Sequence, residues 1–171
     1  MEVRSRLARG SGRLKKKMCP MIKKLYGNLF DSRMETLVNT VNCVGVMSKG
    51  IALQFKLRYP EMFHDYKAKC AAGSLLPGEP YLYRDTTGKS ILNFPTRRHW
   101  RDDSRIVDIE SGLDCFVQHY REWGIVSIAF PPLGSDGGLP WAQVENLMTE
   151  KLSVITIPIE IYMPYLQRNI H

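Results

Sequence analysis

The segment that most constrains this chain is residues 38–55, Val-Asn-Thr-Val-Asn-Cys-Val-Gly-Val-Met-Ser-Lys-Gly-Ile-Ala-Leu-Gln-Phe. Leu37, Val38, Thr40 and Val41 form a short β-branched and apolar run that reads as a buried strand. Asn39 and Asn42 interrupt it near its end, where a core strand gains nothing from a carboxamide. A loop bracketed by Gly45 and Gly50 follows, and an apolar-periodic helix grows out of it over 48–57. Glycines let backbone approach a ligand, and the first free N–H groups of a helix favour negative charge. The order strand, amides, glycine loop, helix therefore builds a pocket for an anionic, hydroxyl-rich ligand. The same order also fits an ordinary strand-to-helix turn, so the glycines alone do not decide.

Further along, strand-like and helix-like stretches alternate. Residues 22–29 read as an opening strand ending in Gly27-Asn28. Pro60 opens a second helix, with Phe63, Tyr66 and Cys70 on its apolar face and Ala72-Gly73 at its end. Tyr81–Tyr83 and Ser90–Phe94 form a hairpin around Asp85-Thr86-Thr87-Gly88. Ser104 is placed to N-cap a long helix whose Ile106, Ile109, Leu113, Phe116, Val117 and Tyr120 recur at helical spacing. Residues 124–130 are almost continuously apolar and predict a strand buried on both faces. A second Pro/Gly-rich loop, Pro131–Gly138, precedes a helix from Pro140 through Leu152, and 154–163 supplies the last strand or strand pair. The alternation implies an α/β protein with three layers, α/β/α, around a mixed, mostly parallel central sheet. Both glycine loops then fall at carboxyl ends of strands, on the rim where such sheets bind ligands.

These motifs resemble those of the macrodomain family, the ADP-ribose-binding module. The run Asn39-Thr40-Val41-Asn42-Cys43-Val44-Gly45-Val46-Met47 and the following Lys49-Gly50-Ile51-Ala52-Leu53-Gln54-Phe55 are most similar to the DarG antitoxin branch, which removes ADP-ribose that a DarT toxin attaches to thymidine in DNA. Tyr59-Pro60-Glu61, Asn93-Phe94-Pro95-Thr96, Arg98-His99-Trp100-Arg101, Pro131-Pro132-Leu133-Gly134, Gly137-Gly138-Leu139 and Trp141 follow in family order over about residues 22–165.

The resemblance implies the roles of particular residues. Asn42 would hold the distal ribose, and Asn39 would either join it or brace the loops. Asn28 and Leu29 would lie at the adenine, with the Asn28 carbonyl as acceptor where many relatives carry aspartate. Backbone from Gly45, Val46, Gly50 and Ile51, and from Pro132, Leu133, Gly134, Ser135, Gly137, Gly138 and Leu139, would hold the diphosphate, with Lys49 adding charge or facing solvent. Thr96 would line the site. Arg98, His99, Trp100 and Arg101 would meet modified nucleic acid, by phosphate contact and base stacking. A structural Trp100 remains the alternative.

Two departures from the family pattern bear on catalysis. The family's glycohydrolases place a lysine after the threonine, and in a related human enzyme that lysine attacks the anomeric carbon. Here Arg97 stands there, and a guanidinium stays protonated and is a poor nucleophile. The second loop also has only Ser135-Asp136 between its motifs, where the family carries about three residues. Asp136 falls near the related enzyme's acid/base aspartate, so it could activate water; a plain turn aspartate is the alternative. The reading is an ADP-ribosyl glycohydrolase acting on DNA bases, with Asn42, Asp136 and Arg97 as its catalytic set. A catalytically silent ADP-ribose reader and a hydrolase or phosphatase of small ADP-ribose derivatives stay open.

Charge adds little to this. Of the net +7, residues 1–20 carry +6 (seven basic residues against Glu2), so the remainder is nearly neutral. Residues 1–20 read as a disordered basic leader and 21–171 as the macrodomain. No apolar run approaches the roughly 20 residues that cross a bilayer. Cys19, Cys43, Cys70 and Cys115 lack metal-site spacing, which predicts buried, reduced thiols in a cytoplasmic protein without metal, cofactor or disulfide. The expected partners are ADP-ribose or ADP-ribosylated DNA and a DarT-like toxin; nothing requires more than a monomer or suggests a membrane.

Overall fold

The structure, a computed structural model, describes residues 21–165. The proposed leader, with its basic run and Cys19, lies outside the described residues. Ten principal elements follow in order: β1 (Ile22–Leu25), β2 (Thr36–Val41), α1 (Gly50–Arg58), α2 (Pro60–Ala71), β3 (Tyr81–Arg84), β4 (Ser90–Pro95), α3 (Ile106–His119), β5 (Ile128–Phe130), α4 (Trp141–Leu152) and β6 (Ile159–Tyr162). The strands form one sheet in the order β1-β6-β5-β2-β4-β3. Every pair is parallel except β3 with β4, the antiparallel hairpin at one edge.

Strand alternation divides the apolar residues between two cores. Val38, Leu92, Phe94, Phe130 and Ile161 pack against α3 and α4 through Ile109, Leu113, Phe116, Val144 and Met148. On the opposite face Leu37, Val41, Ile91 and Ala129 meet α1 and α2 through Phe55, Met62 and Tyr66. The three-layer arrangement anticipated from the sequence is the one observed. Helices on both faces also explain why β4 and β5 are buried at every position, with no alternating exposed residue.

Local chemistry accounts for several boundaries. Pro60 sits at the start of α2, where its missing N–H costs nothing. The helix stops at Gly73, which takes the left-handed conformation (φ +67°), while Ser74 N–H returns to the Lys69 carbonyl. Pro131 follows β5 directly and cannot donate to a ladder.

Other expectations need correction. The strand expected over 124–130 pairs only over Ile128–Phe130. Its first half is apolar for separate reasons: Ile125 N–H closes the turn after α3 on the Tyr120 carbonyl, and Val126 is exposed. The opening strand ends at Leu25 rather than Leu29, because Asn28 accepts from Phe30 N–H and starts a short 3-10 turn. Residues 154–163 contain one strand, not a pair. Ser104 does not cap α3, whose N-cap is Arg105. Cys43, Cys70 and Cys115 are free but half-buried, less enclosed than expected.

Packing between α3 and β4 is tight at Gly112. A Cβ there would lie 2.4 Å from the Phe94 ring, which is fully buried. Alanine normally favours an exposed helix interior over glycine by ~1 kcal/mol. At this position the sign is expected to reverse, with Gly112→Ala destabilising by about 1–3 kcal/mol through overpacking. Urea unfolding of the two proteins measures it.

Candidate functional site

Parallel pairing of β2 with both β5 and β4 points the carboxyl ends of three adjacent strands the same way. The segments leaving them, 42–49, 131–140 and 96–105, therefore crowd one rim. In the first loop Gly45 (φ +85°) turns the chain, and α1 begins at Gly50 (φ +61°) without a side-chain cap, as an anion-accepting helix start would. In the second loop Gly134 (φ +70°) and Gly138 (φ +87°) flank a short 3-10 turn, Ser135–Gly137. Ser135, Gly137 and Leu139 N–H groups close turns within the loop, so they are committed internally. Leu133 is fully buried, and only its backbone can face a ligand.

Two pockets open on this rim. One, of about 290 Å³, is lined by Asn28, Leu29, Ile51, Gln54, Pro132 and Tyr162 among others. The other, of about 70 Å³, is lined by Asn42, Val46, Lys49, Ala52, Thr96, Arg97, Trp100 and Asp136. The start of α1 and the second loop each reach both pockets, while the first loop itself lines the smaller one. The start of α1 gives Ile51 to the larger and Ala52 to the smaller, and the second loop gives Pro132 to the larger and Asp136 to the smaller.

The two asparagines of the first motif have different surroundings. Asn39 is fully buried on the sheet face of Leu37 and Val41, and donates to Asn93 Oδ1 across the β2–β4 ladder at 3.0 Å. It lines neither pocket. Asn42 lies just past the strand and lines the smaller pocket. Its Oδ1 accepts from Val44 N–H (3.1 Å), Val46 N–H (3.4 Å) and the Tyr66 hydroxyl (2.8 Å), while Nδ2 donates to the Val46 carbonyl (2.8 Å). Asn28 likewise spends an acceptor site of Oδ1 on Phe30 N–H at 3.0 Å.

Arg97 and Asp136 meet at the far wall of the smaller pocket. Arg97 Nη1 donates to the Trp100 carbonyl at 3.2 Å, and Nη2 lies 3.3 Å from Asp136 Oδ2. That approach is an ion pair without hydrogen-bond alignment, since Nη2 makes no hydrogen bond. The pair is lopsided: the Arg97 side chain is 13% exposed and that of Asp136 69%, so its energetic worth is small and its effect is to locate the carboxylate. The second loop is pinned beside it. Ser104 N–H donates to the Gly137 carbonyl, and a Cβ on Gly137 would fall 1.9 Å from Ser104 Oγ. Ser104 thus belongs to the support of the site; its capping chemistry gave no signal of that.

Arg98-His99-Trp100-Arg101 forms a tight turn at the mouth. Arg98 accepts from Cys43 N–H through its carbonyl and lies 3.6 Å from Asp108, tying this turn to the first loop. His99 Nδ1 accepts from Arg101 N–H. Trp100 is exposed, with the Arg101 guanidinium 4.5 Å from its ring centroid. Trp100 is therefore no core cap.

Burial, helped by Cys70 and Asp108 and opposed by Arg98, raises the Cys43 thiol from 9.0 to about 11. A raised value leaves less thiolate at pH 7, so the thiolate fraction should be about 100-fold below that of an unperturbed thiol. Alkylation of Cys43, followed by peptide mass spectrometry, is expected to be correspondingly slow at pH 7 and to accelerate about tenfold per pH unit up to about pH 11.

Comparison with known proteins agrees with this geometry. The Macro domain profile matches residues 38–148. The DNA ADP-ribosyl glycohydrolase of Mycobacterium tuberculosis is 45% identical over 151 residues, covering 84% of this chain and 42% of that protein. The chain thus spans under half the length of that curated relative. Among solved structures, the macrodomain of Mycobacterium tuberculosis DarG superposes with a TM-score of 0.82 at 43% identity, covering 86% of this chain and all of that one. Thermosipho africanus DarTG in complex with ADP-ribose gives 0.83 at 38% identity, over 89% of this chain and 44% of that one. On profile, identity and fold together, the chain belongs to the macrodomain family, with DarG macrodomains among its relatives.

Proposed function

We propose that this chain binds ADP-ribose along the rim and hydrolyses it from bases in DNA. The observation that carries the reading is that the start of α1, where the first glycine loop ends, and the second glycine loop each border the same two pockets. Such an arrangement suits a ligand with two rigid heads joined by a charged linker. Adenine goes to the larger pocket beside Asn28 and Leu29. The diphosphate lies over the start of α1 and the second loop, held by backbone amides. The distal ribose goes to the smaller pocket beside Asn42, Thr96 and Lys49. The relatives support the chemistry: curated ones are called DNA ADP-ribosyl glycohydrolases, and the Thermosipho structure holds ADP-ribose.

In this scheme Asp136 takes a proton from a water that attacks the anomeric carbon. The glycosidic C–N bond breaks with its electron pair going to the base nitrogen, which is then reprotonated. Arg97 forms no covalent bond; it holds Asp136 in place and supplies positive charge near the diphosphate or the departing base. Arg98, His99, Trp100 and Arg101 receive the DNA, the exposed indole and its guanidinium neighbour offering a stacking surface. The chain would reverse the modification made by a DarT-like transferase, an activity fused to the glycohydrolase in the Thermosipho relative. It would act as a monomer in the cytoplasm, where its free cysteines stay reduced. Among the described residues no helix is long and apolar enough to cross a membrane.

The test uses single-stranded DNA carrying ADP-ribose on thymidine, the adduct the family resemblance implies. Wild type is expected to release ADP-ribose, and Asp136→Ala to release it about 10²–10⁴-fold more slowly. Arg97→Lys is expected to retain activity. Release by Arg97→Lys alone would make the chemistry lysine-dependent and leave wild type a reader of ADP-ribose. Trp100→Ala is expected to slow turnover of the DNA adduct by a larger factor than it weakens the calorimetric affinity for free ADP-ribose.

A further inference from the structure

Tyr66 has no place in the scheme above, yet it is a fully buried side chain with a hydroxyl pointed at the first loop. It lies on α2, 24 residues from Asn42, and its phenol reaches both oxygens of that residue: the backbone carbonyl at 2.9 Å and Oδ1 at 2.8 Å. Val44 and Val46 N–H groups point at the same Oδ1, and the Val46 carbonyl takes one proton of Nδ2.

This network admits one orientation of the carboxamide. Rotating the amide by half a turn would set its NH₂ against two backbone N–H groups and its oxygen against the Val46 carbonyl. With Oδ1 already taking three donors, the valence left for a ligand is the second N–H of Nδ2. Asn42 lines the smaller pocket, and what this side chain has left to offer there is a donor. The phenol is suited to holding this arrangement. Burial raises its pKa, so it stays protonated across the working pH range. The loop itself leans on the same stretch of α2, since a Cβ on Gly45 would meet the side chains of Lys67 and Cys70 at 3.6 and 3.7 Å.

We propose that Tyr66 is a positioning residue that, together with the Val44 and Val46 amides, holds the Asn42 carboxamide with Nδ2 free to donate to a ribose hydroxyl in the smaller pocket. The inference rests on the ADP-ribose reading of this site. It adds that discrimination between ADP-ribose and ADP, which lacks the second ribose, depends on a hydroxyl that touches no ligand. Without that hydroxyl Oδ1 keeps only the Val44 and Val46 N–H groups, and the carboxamide is held less firmly in the orientation that turns Nδ2 toward the ribose.

Calorimetry with ADP-ribose and ADP on wild type, Tyr66→Phe and Asn42→Asp tests this. Wild type is expected to prefer ADP-ribose. Tyr66→Phe, which keeps the ring in the core, is expected to lose about five- to tenfold of ADP-ribose affinity, the worth of one hydrogen bond, with ADP affinity changed by less than about twofold. Asn42→Asp keeps oxygens for Val44, Val46 and Tyr66 but removes the donor, and is expected to abolish the preference. Equal weakening toward both ligands in Tyr66→Phe would reduce Tyr66 to loop packing and overturn the proposal. So would retained preference in Asn42→Asp, which would show an acceptor at work. Should Tyr66→Phe fail to fold, Asn42→Asp alone still decides the polarity. Wild type binding ADP and ADP-ribose equally would overturn the ADP-ribose reading itself, a failure separate from loss of the Tyr66 effect.

Discussion

Placement of β2 between β5 and β4, parallel to both, is the constraint on which the rest of this molecule depends. Parallel neighbours cannot be joined by tight turns, so each connection crosses a helical layer and leaves its strand from the same end. Three unrelated stretches of sequence are thereby delivered to one rim. Nothing in the loops themselves has to bring them together. The loops only have to hold their shape once there, and they do so by hydrogen bonds to one another. Residues 96–105 touch both neighbours: the Arg98 carbonyl takes Cys43 N–H from the first loop, and Ser104 N–H reaches the Gly137 carbonyl of the second.

Two uses of the same residue type show where the sequence informs and where it stops. Asn39 and Asn42 look alike in a Val-Asn-x-x-Asn motif, but strand geometry separates them. Asn39 shares a face with Leu37 and Val41, the inward face toward α1 and α2, so it is committed to the interior with Asn93 as its partner. Asn42 follows the last paired residue and is released from that alternation. Period-two reasoning alone distinguishes the first from the second. The support of Asn42 is another matter, because besides Val44 and Val46 it includes Tyr66, which the sequence presents as one more residue on an apolar helical face. A contact across 24 positions between two elements has no local signature.

The same distinction applies to the fold. Sheet class, layer order and the rim location of both glycine loops were legible because periodicity and loop punctuation report them directly. Boundaries were legible where one residue type has one physical consequence, as at Pro60 and Gly73. They failed where apolar character had mixed causes. Ile125, Val126 and Ile128 are alike in composition, yet the first closes a turn, the second meets solvent and only the third pairs in the sheet. Ser104 has the chemistry of a cap, but its backbone is claimed by Gly137 before the helix begins.

The two departures that the family resemblance implies, arginine for lysine at position 97 and a shortened second loop, are adjacent in space. A loop with fewer residues has less freedom to bring its carboxylate inward, and Asp136 is largely exposed. A lysine ammonium is a point charge on a flexible stem, whereas a guanidinium is a planar fork that can hold two partners at a fixed separation. Arg97 donates to the Trp100 carbonyl and lies beside the Asp136 carboxylate, so it sits between the turn at 98–101 and the second loop. Arg97 therefore stands between two segments that the parallel sheet brings close but does not join. In the proposed scheme the chemistry then rests on a positioned carboxylate and water, with the ribose oriented by Asn42, whose own orientation is supported by the first loop and from α2.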